Sequence, residues 1–130
     1  MSHSILVVDD HVLNVKLAQR ILTAAGYTVK VATRGLEAVQ MASAERPDLI
    51  LLDIRLPDID GLEVLRRLRS APETSDVLIV AMSAQAMPEE VATVMDAGCD
   101  GYIQKPISLT TFRVEVQRYL ETPAARARPS

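Results

Sequence analysis

One cysteine, no tryptophan, a single phenylalanine and five glycines are all that the 130-residue chain has of these residues. Cys99 alone cannot form an intramolecular disulfide, and with no CxxC pair or Cys/His cluster the chain lacks the ligand set of a structural zinc site. A reducing, cytoplasmic setting fits that usage. Basic residues do not dominate: 14 Lys and Arg against 17 Asp and Glu give a formal net charge of -3. Nucleic acid and anionic lipid both need clustered cations, so neither is an expected partner. No apolar run approaches the roughly 20 residues of a membrane span. The start, Met1, Ser2, His3 and Ser4, leads into a strand-like run without the basic region and apolar core of an export signal. The expectation is a soluble, unexported protein that meets proteins or small anions. Without a Walker A loop, GxGxxG, HExxH or GxSxG, nucleotide hydrolysis, dinucleotide binding, zinc proteolysis and serine-hydrolase chemistry have no motif to rest on.

What is present is a 48% hydrophobic composition, enough to give one domain a core but, at this length, not two. Short apolar runs alternate with longer segments of helical period, the pattern of βα units around a parallel sheet. Strands are expected at Ser4–Val8, Thr28–Ala32, Leu49–Asp53, residues 77–82 and Gly101–Gln104. Several are apolar without alternation, as strands covered on both faces should be. Helices are expected at 11–25, Gly35–Ala44, Gly61–Ser70, 88–97 and 108–120. Gly26 stands where a left-handed terminator belongs, Pro88 suits a first turn, and Leu109, Phe112, Val116 and Leu120 are spaced as a buried stripe. The domain is expected to span 1–121. Residues 122–130, rich in alanine with Pro123, Pro129, Arg126 and Arg128, are expected to be a disordered tail.

In an open parallel sheet, ligands bind beyond the carboxyl ends of the strands, where the winding reverses. The predicted strands deliver Asp9 and Asp10, then Asp53, Ser83 and Lys105 to that edge. Two carboxylates about 4 Å apart repel by roughly 4 kcal/mol at an effective dielectric near 20. A divalent cation relieves this, and hard oxygen ligands favour Mg²⁺ over zinc. A phosphoryl group entering there would meet the cation, the Lys105 ammonium and the Ser83 hydroxyl. One carboxylate would remain to attack, and Asp53, central to the edge, is best placed.

Four motifs carry a family resemblance: the acid pair in Val7, Val8, Asp9 and Asp10; DIRLPDIDG from Asp53 to Gly61; Ser83 in Ala81, Met82, Ser83 and Ala84; and Lys105 with Pro106. In this order, over about residues 4 to 120, the chain resembles a response-regulator receiver domain of two-component signalling. The resemblance implies a flavodoxin-like, doubly wound sheet of five parallel strands and five helices, in strand order 2-1-3-4-5. It implies Asp53 as phosphoacceptor, with Mg²⁺ held by Asp9, Asp10, Asp53 and the Arg55 carbonyl, Asp10 being the direct ligand of the acid pair. Lys105 would pair with phosphoryl oxygens, and the Lys105-Pro106 bond would be cis, a form affordable only before proline. Ser83 and Tyr102 match the switch positions, while Pro57 and Gly61 shape the loop after Asp53.

The resemblance further implies phosphotransfer from a histidine kinase or histidine phosphotransfer protein, followed by slow hydrolysis. Readout would occur on the face of the fourth helix, fifth strand and fifth helix, around 90–97, Tyr102 and 108–119, by a downstream protein, with the chain a monomer or a phosphorylation-dependent dimer. The absence of an output domain suggests a single-domain receiver, similar to chemotaxis and cell-cycle receivers. Lys105, Pro106, Ile107, Ser108 and Phe112 lean towards the cell-cycle type. An intermediate or phosphate sink in a phosphorelay is the alternative. A haloacid dehalogenase-like aspartyl phosphatase is more distant, because its motif needs an acid where Arg55 stands. A receiver-shaped module that is never phosphorylated would have lost an acid, the serine or the lysine, and none is lost. Singly, each residue has a plainer reading: a helix cap for Asp9 and Asp10, a turn for Asp53, packing for Tyr102, a capping or solvated role for His11. The joint spacing outweighs these for the acids; for Tyr102 packing and the switch role both stay open, and His11 is expected to have no metal role.

Overall fold

A computed structural model describes residues 3–84 and 87–121. Its strands are β1 (Ser4–Val8), β2 (Thr28–Ala32), β3 (Leu49–Asp53), β4 (Leu78–Ser83) and β5 (Gly101–Gln104). Its helices are α1 (Val12–Ala24), α2 (Gly35–Ala44), α3 (Gly61–Ser70), α4 (Pro88–Asp96) and α5 (Thr111–Leu120). All strand pairings are parallel and the sheet runs β2-β1-β3-β4-β5, the expected order. The chain steps outward from β1 to β2, then returns to add β3 on the other side, so the winding reverses between β1 and β3.

The period of two along each strand divides the apolar side chains between two cores. Leu6, Val8, Ile50, Leu52, Ile79 and Ala81 face Ala38 and Ala42 of α2, Val64, Leu65 and Leu68 of α3 and Val94 of α4. Ile5, Val7, Leu49, Leu51, Val80 and Ile103 face Ala18, Ile21 and Leu22 of α1 and Phe112 and Val116 of α5. Each fully buried Leu, Ile or Phe contributes about 1.5–3 kcal/mol. The central strands β3 and β4 are buried at every position, which is why their sequences do not alternate. The edge strand β2 does alternate, with Thr28 and Lys30 outward.

Two glycines set the loop geometry. Gly26 follows α1 with φ +97°, a conformation that side chains disfavour. Gly61 opens α3 against the end of β3: a Cβ there would lie 2.5 Å from the Ile54 Cα and 2.8 Å from the Asp53 carbonyl oxygen. The Gly61 N–H donates to the Ile54 carbonyl at 2.8 Å, closing the loop between them.

The fifth helix starts at Thr111, not at 108. Ser108 draws the backbone into a turn instead, its Oγ accepting the Thr111 N–H at 3.1 Å, the competition by which serine favours helix starts over helix interiors. Leu109, expected in the buried stripe, therefore lies in that turn and is 66% exposed, while Phe112 and Val116 are fully buried. The fourth strand is shifted one residue, to Leu78–Ser83, and α1 and α4 are trimmed at their ends. The 122–130 segment lies outside the described residues.

Candidate phosphoryl and metal site

The β1–β3 register, with Val8 paired to Leu52, puts Asp9 and Asp53 side by side at the carboxyl edge where the winding reverses. Asp53 is in turn paired with Met82, so Ser83 extends one residue further along β4 and is buried. Lys105 follows β5, its N–H donating to the Ser83 carbonyl at 2.8 Å. The Lys105-Pro106 bond is cis.

Lys105 reaches back across the edge. Its Nζ lies 2.9 Å from Asp9 Oδ2 and 3.0 Å from Asp53 Oδ2, with Asp9 and Asp53 about 1% and 2% exposed. Burying a charge is costly unless it is paired, and here one ammonium serves two carboxylates. Burial pushes the Lys105 ammonium towards losing its proton, but hydrogen bonds and attraction from Asp9 and Asp53 outweigh this and hold its pKa above the ordinary value. Burial likewise pushes both acids up. At Asp9 the His11 backbone N–H and Lys105 reverse the effect, leaving the carboxyl below its usual range. At Asp53 burial prevails over the Arg55 N–H and Lys105, with the Asp9 charge adding to it, and the carboxyl stays above its usual range. The buried trio thus carries an uncompensated negative charge centred on Asp53. Asp10, at the rim and 37% exposed in its side chain, adds another.

The loop from Ile54 to Asp60 is tied on both sides. Arg55 N–H donates to Asp53 Oδ1 at 3.1 Å, and the Asp60 carboxylate caps α3 by accepting the Leu62 N–H at 2.9 Å. Asp58 crosses to α2, where its two oxygens accept the Gly35 and Leu36 N–H groups at 2.8 and 3.0 Å. These bonds, that from Leu36 first, lower its carboxyl to about 2. The Arg55 guanidinium reaches 3.4 Å from Glu90 Oε2 on α4. Pro57 is exposed in the bend of this loop. Tyr102 is half-buried on β5, packed against the α2–α4 side of the core, and its N–H donates to the Tyr119 hydroxyl of α5 at 3.2 Å.

His11 was expected to cap or to be solvated. No side-chain cap bond forms at the start of α1; the ring is largely exposed, as a solvated side chain would be, but its Nδ1 turns to the acids, 3.1 Å from Asp9 Oδ1, 3.4 Å from Asp10 Oδ1 and 3.8 Å from Asp53 Oδ2. Its place beside Asp10 was visible in the sequence, but adjacency does not fix the direction of a side chain at a strand-to-helix turn. One donor atom from each of Asp9, Asp10, His11 and Asp53 can be chosen so that all lie within 4.8 Å of one another. An octahedral cation with ligands at about 2.1 Å separates adjacent ligand atoms by about 3.0 Å and opposite ones by about 4.2 Å. Hard carboxylate donors at nearly that spacing, with negative charge in excess, fit Mg²⁺.

Residues 5–117 match the family model described as response regulator receiver domain. The polar-differentiation response regulator DivK of Brucella anthropi is 39% identical over 120 residues, covering 92% of this chain and 98% of that protein. Among solved structures, the receiver domain of the sensor histidine kinase PA1611 from Pseudomonas aeruginosa, with a magnesium ion coordinated in its active site cleft, superposes with TM-score 0.86. It shares 30% identity over 94% of this chain and all of that one. The chemotaxis response regulator CheY4 of Vibrio cholerae gives a TM-score of 0.87 at 27% identity, over 92% of this chain and 99% of that one.

Proposed function

The chain belongs to the response regulator receiver domain family, and on that premise we propose that Asp53 accepts a phosphoryl group from the phosphohistidine of a histidine kinase or histidine phosphotransfer protein. The observation that carries this is the buried Asp53 carboxylate, held 3.0 Å from the Lys105 ammonium at the strand edge where the winding reverses.

An Asp53 carboxylate oxygen attacks phosphorus in line with the departing imidazole. The new O–P bond forms as the P–N bond breaks, and the electron pair leaves with the imidazole nitrogen. Asp53 meets the main requirement of a nucleophile, a carboxylate whose charge is incompletely satisfied. Lys105 stands ready to move its bonds from carboxylate to phosphoryl oxygen, and the buried Ser83 at the end of β4 offers a hydroxyl to another. The side chains of Asp9, Asp10 and Asp53 with the Arg55 carbonyl would hold Mg²⁺, whose bound charge offsets the negative charge on the transferring group. The Arg55 N–H on Asp53 Oδ1 and the Gly61 closure keep the acceptor aimed at the mouth of the site. Water then slowly hydrolyses the acyl phosphate, releasing inorganic phosphate and restoring the Asp53 carboxylate, so the chain assists its own labelling and unlabelling without turning over a separate substrate.

Signalling follows from added charge. A phosphoryl group brings about -1.5 to -2 at pH 7. Ser83 moving towards it would open space for Tyr102, biasing the α4, β5 and α5 surface between two arrangements that a downstream protein reads. We place this activity in the cytoplasm, with the chain a monomer or a phosphorylation-dependent dimer. No helix among the described residues is long and apolar enough to cross a membrane.

Incubation with acetyl phosphate or phosphoramidate and Mg²⁺, read by intact mass, tests the reading. One added phosphoryl group, absent with a chelator and in Asp53→Asn, is expected. Unchanged labelling of Asp53→Asn would sink it, and many turnovers of a phosphomonoester would point to a phosphatase.

A further inference from the structure

His11 faces three carboxylates, not one. Its ring nitrogen lies 3.1, 3.4 and 3.8 Å from oxygens of Asp9, Asp10 and Asp53, close to the range of about 3.0–4.2 Å that separates ligand atoms around one octahedral cation. The Asp9 carboxylate is divided: Oδ2 goes to Lys105 at 2.9 Å, while Oδ1 accepts the His11 backbone N–H at 2.9 Å. That short turn holds the backbone of His11 against the acid, and the ring Nδ1 lies 3.1 Å from the same Oδ1. The ring itself is 62% exposed, so small adjustments of its rotamer cost little.

We propose that His11 Nδ1 is a ligand of the divalent cation held by Asp9, Asp10 and Asp53, giving the site a nitrogen donor and raised affinity for imidazole-preferring cations such as Co²⁺ and Ni²⁺. This rests on the reading of the three aspartates as metal-holding acids. Oxygen-only sets suit Mg²⁺, whereas an imidazole contributes chiefly to later first-row ions, in the order Mn²⁺, Fe²⁺, Co²⁺, Ni²⁺. The cation bound by this chain would accordingly depend on which metals are on offer, with Mg²⁺ taken through the carboxylates and Co²⁺ or Ni²⁺ gaining the ring as well.

Calorimetric titration of the full chain with Mg²⁺ and with Co²⁺, together with the visible absorption of bound Co²⁺, tests this at fixed pH. Because even an outer-shell partner of a metal ligand is worth 10–100-fold in affinity, His11→Gln is expected to weaken Co²⁺ by at least about tenfold. Its Mg²⁺ affinity should change less than about twofold, and the Co²⁺ absorption band should shift. His3→Gln should change none of these. Equal Co²⁺ affinity in wild type and His11→Gln, or equal losses for both metals, overturns the proposal. Asp10→Asn separates the two levels. Loss of both metals there, with His11→Gln silent, keeps the acid site and removes the imidazole; undiminished binding of both metals in Asp10→Asn contradicts the acid site itself.

Discussion

Replacing Asp53 by asparagine is expected to stabilise the metal-free protein. The carboxylate is attracted by Lys105 at 3.0 Å, about 5.5 kcal/mol at an effective dielectric near 20. Asp9 and Asp10, each with an oxygen within 4.8 Å of one on Asp53, repel by at least about 3.5 kcal/mol apiece on the same footing. Asp10 is partly solvated and counts for less, so the Coulomb terms come close to balance and the cost of burying the carboxylate decides the sign. The raised pKa of Asp53, caused first by burial, agrees: an acid whose folded pKa lies above its unfolded one loses stability when ionised at neutral pH. The amide keeps the shape and can still accept the Arg55 N–H. Asp53→Asn should therefore gain about 1–2 kcal/mol, several degrees in Tm, in urea or thermal unfolding followed by circular dichroism with chelator present. Mg²⁺ at a hundred times its Kd should then stabilise the wild type by about 2.7 kcal/mol and the variant by clearly less. A variant less stable than wild type in chelator, or an equal response of both to Mg²⁺, refutes the reasoning that excess negative charge is stored at this edge.

Gly61→Ala drives a methyl into the Ile54 backbone at 2.5 Å; since backbone cannot yield as a side chain can, a loss of about 1–3 kcal/mol and slower labelling by phosphoramidate are expected, measured by urea unfolding and intact mass. Away from the site, the Arg69 guanidinium bonds the Gly98 carbonyl at 2.9 Å, the Val77 carbonyl at 2.6 Å and Asp100 Oδ2 at 2.9 Å, clipping α3 to the starts of β4 and β5. Asp100→Ala leaves that charge largely buried and should cost about 3–5 kcal/mol in unfolding free energy, without altering the stoichiometry of labelling. Asp58, lowered to about 2 from an unfolded value near 3.9, contributes stability that is present above about pH 4 and lost as pH falls through 2. The gap between wild type and Asp58→Ala, about 1 kcal/mol for a helix cap, should shrink across that window in acid unfolding and stay constant above it.

The strands and the acids at their ends were legible because both signals are local: an apolar run buried on two faces, then a polar residue that breaks it. Asp9, Asp53, Ser83 and Lys105 needed only the order of the strands to be brought to one edge. What the sequence hid depends on contacts between distant segments. Asp58 supplies the α2 cap that Arg34, the residue at the helix start, does not, across 23 positions to Gly35, and no local pattern announces that. Leu109 kept a helical spacing with Phe112, but the Ser108 hydroxyl bond to Thr111 delayed the helix past it. His11 was next to the acids in the chain, yet only the rotamer that sets its Nδ1 3.1 Å from Asp9 and 3.4 Å from Asp10 brings the ring to them.

Reduction of the phosphorylated chain with borohydride, which converts an aspartyl phosphate to homoserine, followed by peptide mapping, tests the central claim most directly. Homoserine at position 53, formed only when Mg²⁺ and phosphodonor were both present, is the predicted result. Homoserine at any other aspartate, or none in a chain that has gained a phosphoryl group, would contradict it.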